Sequence, residues 1–194
     1  EATVLEPLVS YQQPSALTKE ARFSPDGTLM AVLYKETLEL WRLRDHALLQ
    51  TVTLDEGHYF SPETAAFAPD SRQIAVTALR EPLLYRWSVN EEAVRSETGH
   101  AEPGDKDGYL IPTPTIRVST DSAAMNDLHF SPDGQWLAVG ETNGQLRRYD
   151  LATGDAVPST LSVVGLNKFA WSHDGSLFAV AMDGGTIGLW PARG

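Results

Sequence analysis

The chain has 194 residues, 42% hydrophobic and 21% charged, a balance that fits one folded domain with its own core rather than a disordered tail. Its 26 acidic and 15 basic side chains leave a formal charge of −11, which repels phosphate backbones and anionic headgroups and weighs against nucleic-acid or membrane partners. There is no cysteine and no apolar run near the ~20 residues that span a bilayer, so disulfides, thiolate chemistry and a transmembrane helix are not expected.

Self-similarity is the strongest signal along the chain. The first unit reads Phe23-Ser24-Pro25-Asp26-Gly27, then Leu29-Met30-Ala31-Val32, then Trp41. The second reads Phe67-Ala68-Pro69-Asp70-Ser71, then Ile74-Ala75-Val76, then Trp87. The third is Phe130-Ser131-Pro132-Asp133-Gly134, Leu137-Ala138-Val139 and Tyr149, and the fourth is Trp171-Ser172-His173-Asp174-Gly175, Phe178-Ala179-Val180 and Trp190. The two aromatics of each unit stand 18, 20, 19 and 19 residues apart, too regular a cadence for chance.

Pro-Asp-Gly is turn chemistry: Pro presets φ, Asp bonds its own backbone, and Gly accepts a positive φ. The apolar runs around it have strand length, and a second turn follows at Lys35-Glu36-Thr37, Arg80-Glu81-Pro82, Thr142-Asn143-Gly144 and Asp183-Gly184-Gly185. A third strand alternates, as in Leu38-Glu39-Leu40-Trp41-Arg42-Leu43, and a weaker fourth fits Leu48 to Val52 and Val157 to Val163. One unit is therefore a four-stranded antiparallel meander. The recurring aromatics Phe23, Phe67, Phe130 and Trp171 are expected between the sheets, and Trp136 is expected to be partly exposed.

This pattern resembles the WD40-repeat family over essentially the whole chain. The third unit comes nearest, with Leu128-His129-Phe130-Ser131-Pro132-Asp133-Gly134 and Tyr149-Asp150-Leu151-Ala152-Thr153-Gly154, and Gly57-His58 and Gly99-His100 are similar to the family's Gly-His pair. The final Trp-Asp pair is degenerate, as Trp41-Arg42, Trp87-Ser88, Tyr149-Asp150 and Trp190-Pro191. The resemblance implies an all-β fold, a β-propeller segment of four four-stranded antiparallel blades in an open arc or as part of a larger ring. It implies blade units over about 20–54, 64–98, 126–163 and 168–190, with an outer strand over residues 3–9. Four blades short of a ring leave two bare faces, and at ~25 cal/mol per Å² even 500 Å² of such a face is worth roughly 12 kcal/mol. The remaining blades are expected from the same parent protein or from a second copy.

The units are spaced 44, 63 and 41 residues apart, so the long gap holds an insert over about 101–122. In the family's topology it belongs to the top face, where partners bind. The resemblance thus implies a non-catalytic protein-interaction scaffold or sensor module, and the candidate contact residues are Tyr59, Arg80, Tyr109 and Arg117. Two alternatives stand beside it: an enzyme or small-ligand propeller with a polar central channel, and a structural module that assembles through its open faces.

Catalytic and metal motifs give little. Asp105-Lys106-Asp107-Gly108 opens like a calcium loop, but the twelfth position is Ile116, where a bidentate Glu is needed. The five histidines have no zinc-ligand spacing, and neither a Gly-x-Ser-x-Gly elbow nor a phosphate-cradling Gly-Lys loop is present. No cofactor and no enzymatic activity are expected.

Overall fold

The computed structural model describes residues 18–34, 37–53, 62–78, 83–96, 108–118, 124–157 and 161–192. The first sheet runs in the order β1 (Thr18–Phe23), β2 (Leu29–Tyr34), β3 (Thr37–Arg42), β4 (Ala47–Thr53). The second is β5 (Pro62–Phe67), β6 (Gln73–Ala78), β7 (Leu83–Val89), β8 (Leu110–Arg117). The third is β9 (Met125–Phe130), β10 (Trp136–Glu141), β11 (Leu146–Asp150), β12 (Ala156–Val157). The fourth has three strands among the described residues, β13 (Leu166–Trp171), β14 (Leu177–Met182) and β15 (Thr186–Pro191). The inner strands meet in order, β1 with β5, β5 with β9 and β9 with β13, so the sheets stand side by side as blades of an open arc.

The turns form as their residues dictate. Ser24 Oγ donates to Asp26 Oδ1 at 2.6 Å and accepts from the Leu29 amide at 2.9 Å, while Asp26 Oδ1 also accepts from the Thr28 amide at 3.0 Å. Ser131 with Asp133 and Ser172 with Asp174 repeat this bonding. Three such donors, led by the Ser172 hydroxyl, hold the Asp174 carboxyl down to about 2. The second blade departs: Ala68 replaces the serine, and Ser71 adopts φ 63° where the other turns have glycine. The Ser71 hydroxyl accepts from the Asp26 amide at 3.1 Å, tying two neighbouring turns together.

The arrangement of the second blade corrects two expectations. Its fourth strand, β8, lies inside the segment read as an insert over 101–122. A short helix, α1 (Glu91–Arg95), stands where the unit 64–98 was expected to end. Asn90 caps that helix by accepting from the Ala93 amide, and Glu91 and Glu92 fill its first turn, so local capping outweighs strand propensity there. The 63-residue spacing made this segment read as an insert; Pro112 and Pro114 are tolerated in β8 because it is the outermost strand of its sheet. The outer strand expected over residues 3–9 lies outside the described residues.

Packing between blades follows one rule. The face bearing Ala31, Leu33, Leu38 and Leu40 buries against Ala65, Ile74 and Val76 of the second blade. Ala75 and Leu84 then bury against Leu128, Leu137 and Val139, and Ala138 and Leu146 against Phe169, Phe178 and Val180. Phe130 lies in this core and Phe67 and Trp171 are half-buried against it. Phe23, expected between blades, is instead 65% exposed, because no described blade stands on its side of the first sheet.

Two glycines separate backbone strain from steric clash. A Cβ on Gly134, at φ 69°, meets nothing nearer than Pro69 Cδ at 3.9 Å, whereas on Gly144 it lies 2.3 Å from the Val163 carbonyl oxygen. Gly134→Ala is therefore expected to lower the unfolding free energy by about 1 kcal/mol from the left-handed backbone alone. Gly144→Ala should cost about 3 kcal/mol, since backbone must shift as well. Urea unfolding of both variants checks the order.

Candidate interaction site

A meander places its Ser-Pro-Asp-Gly turns on one rim and the starts of its inner strands on the other. On that second rim each inner strand opens with an extra, bulged residue, namely Lys19, Glu63, Asn126 and Asn167. In the first and third blades the residue after the bulge reaches the next blade. Glu20 Oε2 accepts from the Ala65 amide at 2.8 Å, and Asp127 Oδ2 accepts from the equivalent Phe169 amide at 2.8 Å. Thr64 holds that place in the second blade, and its buried hydroxyl has no hydrogen-bond partner among the described residues.

Asp127 is 1% exposed and gathers donors from two blades. His129 Nε2 stands 3.4 Å away on its own strand, and Lys168 Nζ of the fourth blade donates at 3.2 Å while also donating to the Asn126 carbonyl. Burial, the largest influence, raises the Asp127 pKa. The hydrogen bonds from His129 and the Phe169 amide, with the charges of His129 and Lys168, outweigh it and bring the carboxyl below 3.8. Lys19 and Glu63 add an exposed ion pair between the first two blades at 2.6 Å.

The other buried charges are spent on structure too. Arg42 clasps Asp45 through Nε and Nη2 and sends Nη1 to the carbonyls of Val94 at 2.8 Å and Ser96 at 3.1 Å in the next blade. Arg86 donates to Pro114 O at 3.2 Å and to Leu151 O across the next joint at 3.4 Å. Arg148 holds the same place one blade later and donates to Ala192 O. Glu39 accepts from Trp41 Nε1 at 2.9 Å, and burial, then the neighbouring Glu39, pushes the Tyr34 hydroxyl pKa up. Glu141 accepts from Arg147 Nε at 2.7 Å and Asn143 Nδ2 at 3.0 Å.

The sequence-derived contact residues fare differently. Arg117 is exposed and pairs with Leu83 at the end of β8, on the rim where the inner strands start. Tyr109 is 2% exposed, and its carbonyl accepts from the Asn90 amide on the opposite rim. It was expected in a displayed top-face loop, but the segment before β8 connects β7 to β8, which puts the ring in the core. Tyr59 and Arg80 lie outside the described residues, as do Asp105, Lys106, Asp107, His58 and His100. Trp136 is half-buried with the Arg148 guanidinium 6.0 Å from its ring.

Sequence reasoning had no signal for a cleft of about 570 Å³ on the turn rim between the first two blades, walled by Asp26, Arg44, Arg72, Glu91 and Arg95. Its charges are largely matched, since Glu91 receives both Arg72 and Arg95. Among the described residues, no group of three histidines and carboxylates stands close enough to hold a metal ion.

Comparison with known proteins agrees with this geometry. Residues 112–150 match the family model described as WD domain, G-beta repeat. The angio-associated migratory cell protein of Homo sapiens is 24% identical over 189 residues, covering 95% of this chain and 41% of that protein. The ribosome biogenesis protein BOP1 of Rattus norvegicus is 40% identical over 70 residues, or 34% of this chain and 9% of that protein. The chain thus spans less than half the length of these relatives. The β-propeller domain of Cps50 (Swd1) from Myceliophteria thermophila superposes with a TM-score of 0.70 at 15% identity, over 91% of this chain and 54% of that one, a likeness of fold alone. Residues 112–150 thus match a WD40 repeat, and the four side-by-side antiparallel blades have the fold of a WD40-type β-propeller, here as an open arc.

Proposed function

We propose that the chain is a non-catalytic interaction scaffold or sensor module that holds a protein partner on the rim where the inner strands start. The observation that carries this reading is the fate of its buried charge. Glu39, Arg42, Arg86, Asp127 and Glu141 are the buried charged side chains among the described residues, and each is bonded within a blade or across a joint. They do not converge on one another as the acids, bases and nucleophiles of an active site do. Charge invested this way holds the loops in fixed relative positions, which is what a recognition surface needs.

The rim offers contacts of the right kind. Arg117 is exposed there, Lys19, Glu63 and Lys168 edge the inner opening, and Tyr59 and Arg80 are proposed as further contacts. A chain of charge −11 favours a partner surface with basic groups. Tyr109, buried on the other rim, is left out of this surface.

A photo-crosslinking amino acid at position 59, 80 or 117 is expected to capture the partner in cells, and one at position 26 or 133, on the turn rim, is not. Capture from the turn-rim positions alone contradicts the reading. Asp127 separates scaffold from site in a second way. Its folded-state pKa lies below its ordinary value, so its contribution is complete above the ordinary carboxylate range and is lost as pH falls through the lowered value. Asp127→Asn is expected to cost about 2 kcal/mol at neutral pH and to flatten the acid limb of the stability curve. Denaturant unfolding between acid and neutral pH measures this.

A further inference from the structure

The three joints between blades are not held alike. At the first, Glu20 Oε2 accepts from the Ala65 amide at 2.8 Å and Arg42 Nη1 donates to the Val94 carbonyl at 2.8 Å. The third repeats both latches, with Asp127 Oδ2 on the Phe169 amide at 2.8 Å and Arg148 on the Ala192 carbonyl. At the second joint Thr64 takes the carboxylate's place, and Arg86 reaches the Leu151 carbonyl at 3.4 Å, near the outer limit of a hydrogen bond. The first joint also ties its turns, through the Asp26 amide and Ser71 Oγ. Gly134, without a side chain, stands at the place of Ser71 in the next turn and cannot repeat that tie at the second joint.

The packing at this joint differs as well. The first blade offers Leu33, Leu38 and Leu40 to its neighbour, whereas the second offers Ala66, Ala68, Ala75 and Leu84 to the third. Strand alternation puts Thr64 and Thr77, paired across β5 and β6, on the same face as the paired Ala66 and Ala75. Both hydroxyls are buried, at 2% and 0% exposure, and neither has a hydrogen-bond partner among the described residues. Opening the seam to water satisfies them, so their burial opposes tight closure.

We propose that the four-blade arc hinges at its second joint, the first two blades moving as one rigid pair and the last two as the other. Burial of Leu84 against Leu128, Leu137 and Val139 keeps the pairs together. An apolar contact has no direction, however, and does not by itself fix an angle. The latches that fix it at the first and third joints are replaced or stretched here. The rim surface proposed for a partner crosses this seam, with Lys19, Glu63 and Arg117 on one side and Lys168 on the other, so a partner spanning it selects one angle of the arc. That consequence rests on the rim reading; the hinge itself does not.

The chain has no cysteine, so spin labels can be placed in pairs without background. Thr28, Arg72, Gln135 and Ser176 are exposed and follow the same turn position in the four blades. Thr28→Cys with Arg72→Cys, Arg72→Cys with Gln135→Cys, and Gln135→Cys with Ser176→Cys therefore read the three joints in turn. Double electron–electron resonance on the 194-residue chain, with no partner added, measures each distance distribution. The middle pair is expected to be at least about twice as broad as the other two. Thr64→Asp aims a carboxylate at Leu128, the residue that matches Ala65 and Phe169 in register, and should narrow the middle pair to the width of its neighbours. Thr64→Val removes the hydroxyl without adding a latch and should leave it broad. Equal widths at all three joints, a comparison that needs no Thr64 variant to fold, overturn the hinge. A Thr64→Asp chain that folds by circular dichroism yet stays broad, or equal narrowing by Thr64→Val, overturns the missing latch as its cause.

Discussion

Everything in this molecule depends on one requirement: a blade has two apolar faces and can bury neither by itself. Leu38 and Leu40 need Ile74 and Val76, Leu84 needs Leu137 and Val139, and Leu146 needs Phe178 and Val180. Stability therefore propagates from neighbour to neighbour, as in other repeat architectures, and the ends of the stack carry whatever the interior has resolved. Ile187 and Leu189 of the fourth blade, with no described blade against them, are exposed, and so is Phe23 of the first, although Met30, Val32 and Tyr34 on the Phe23 face are buried.

Hydrophobic burial alone does not fix how one blade sits on the next. That is the work of the charged groups at the joints, most of which bond to backbone across them. A carboxylate that accepts an inner-strand amide, or a guanidinium that meets a carbonyl past the third strand, ties side chain to fold with directional geometry. The bulges in β1 and β9 set this up by turning Glu20 and Asp127 toward the next blade. Removing one partner strands the other without water, so these groups stabilise by register and penalise error.

The repeat, the turns and the blade count were legible because they rest on local chemistry. Ser-Pro-Asp-Gly writes its own hydrogen bonds, and the aromatic cadence tracks the third strand directly. What stayed hidden depends on tertiary placement. Leu110 to Arg117 reads as part of an insert because of the long spacing between the second and third units, and only its pairing with β7 reveals a strand. Tyr109 reads as displayed because its segment was assigned to the wrong rim, and one strand's reassignment moves it into the core. Glu20, Thr64, Asp127 and Lys168 look chemically mixed in sequence. Their meaning appears when the blades are set side by side, where two are latches, one is an unsatisfied hydroxyl and one reaches backward.

Strand-resolved hydrogen exchange of the 194-residue chain is the most direct measurement of the stacking rule. Amides of β6 and β10, in blades flanked on both sides, are predicted to exchange at least about tenfold more slowly than those of β14. Equal protection across β6, β10 and β14 would contradict the account, for it would mean that a blade with one bare face is as secure as one with none.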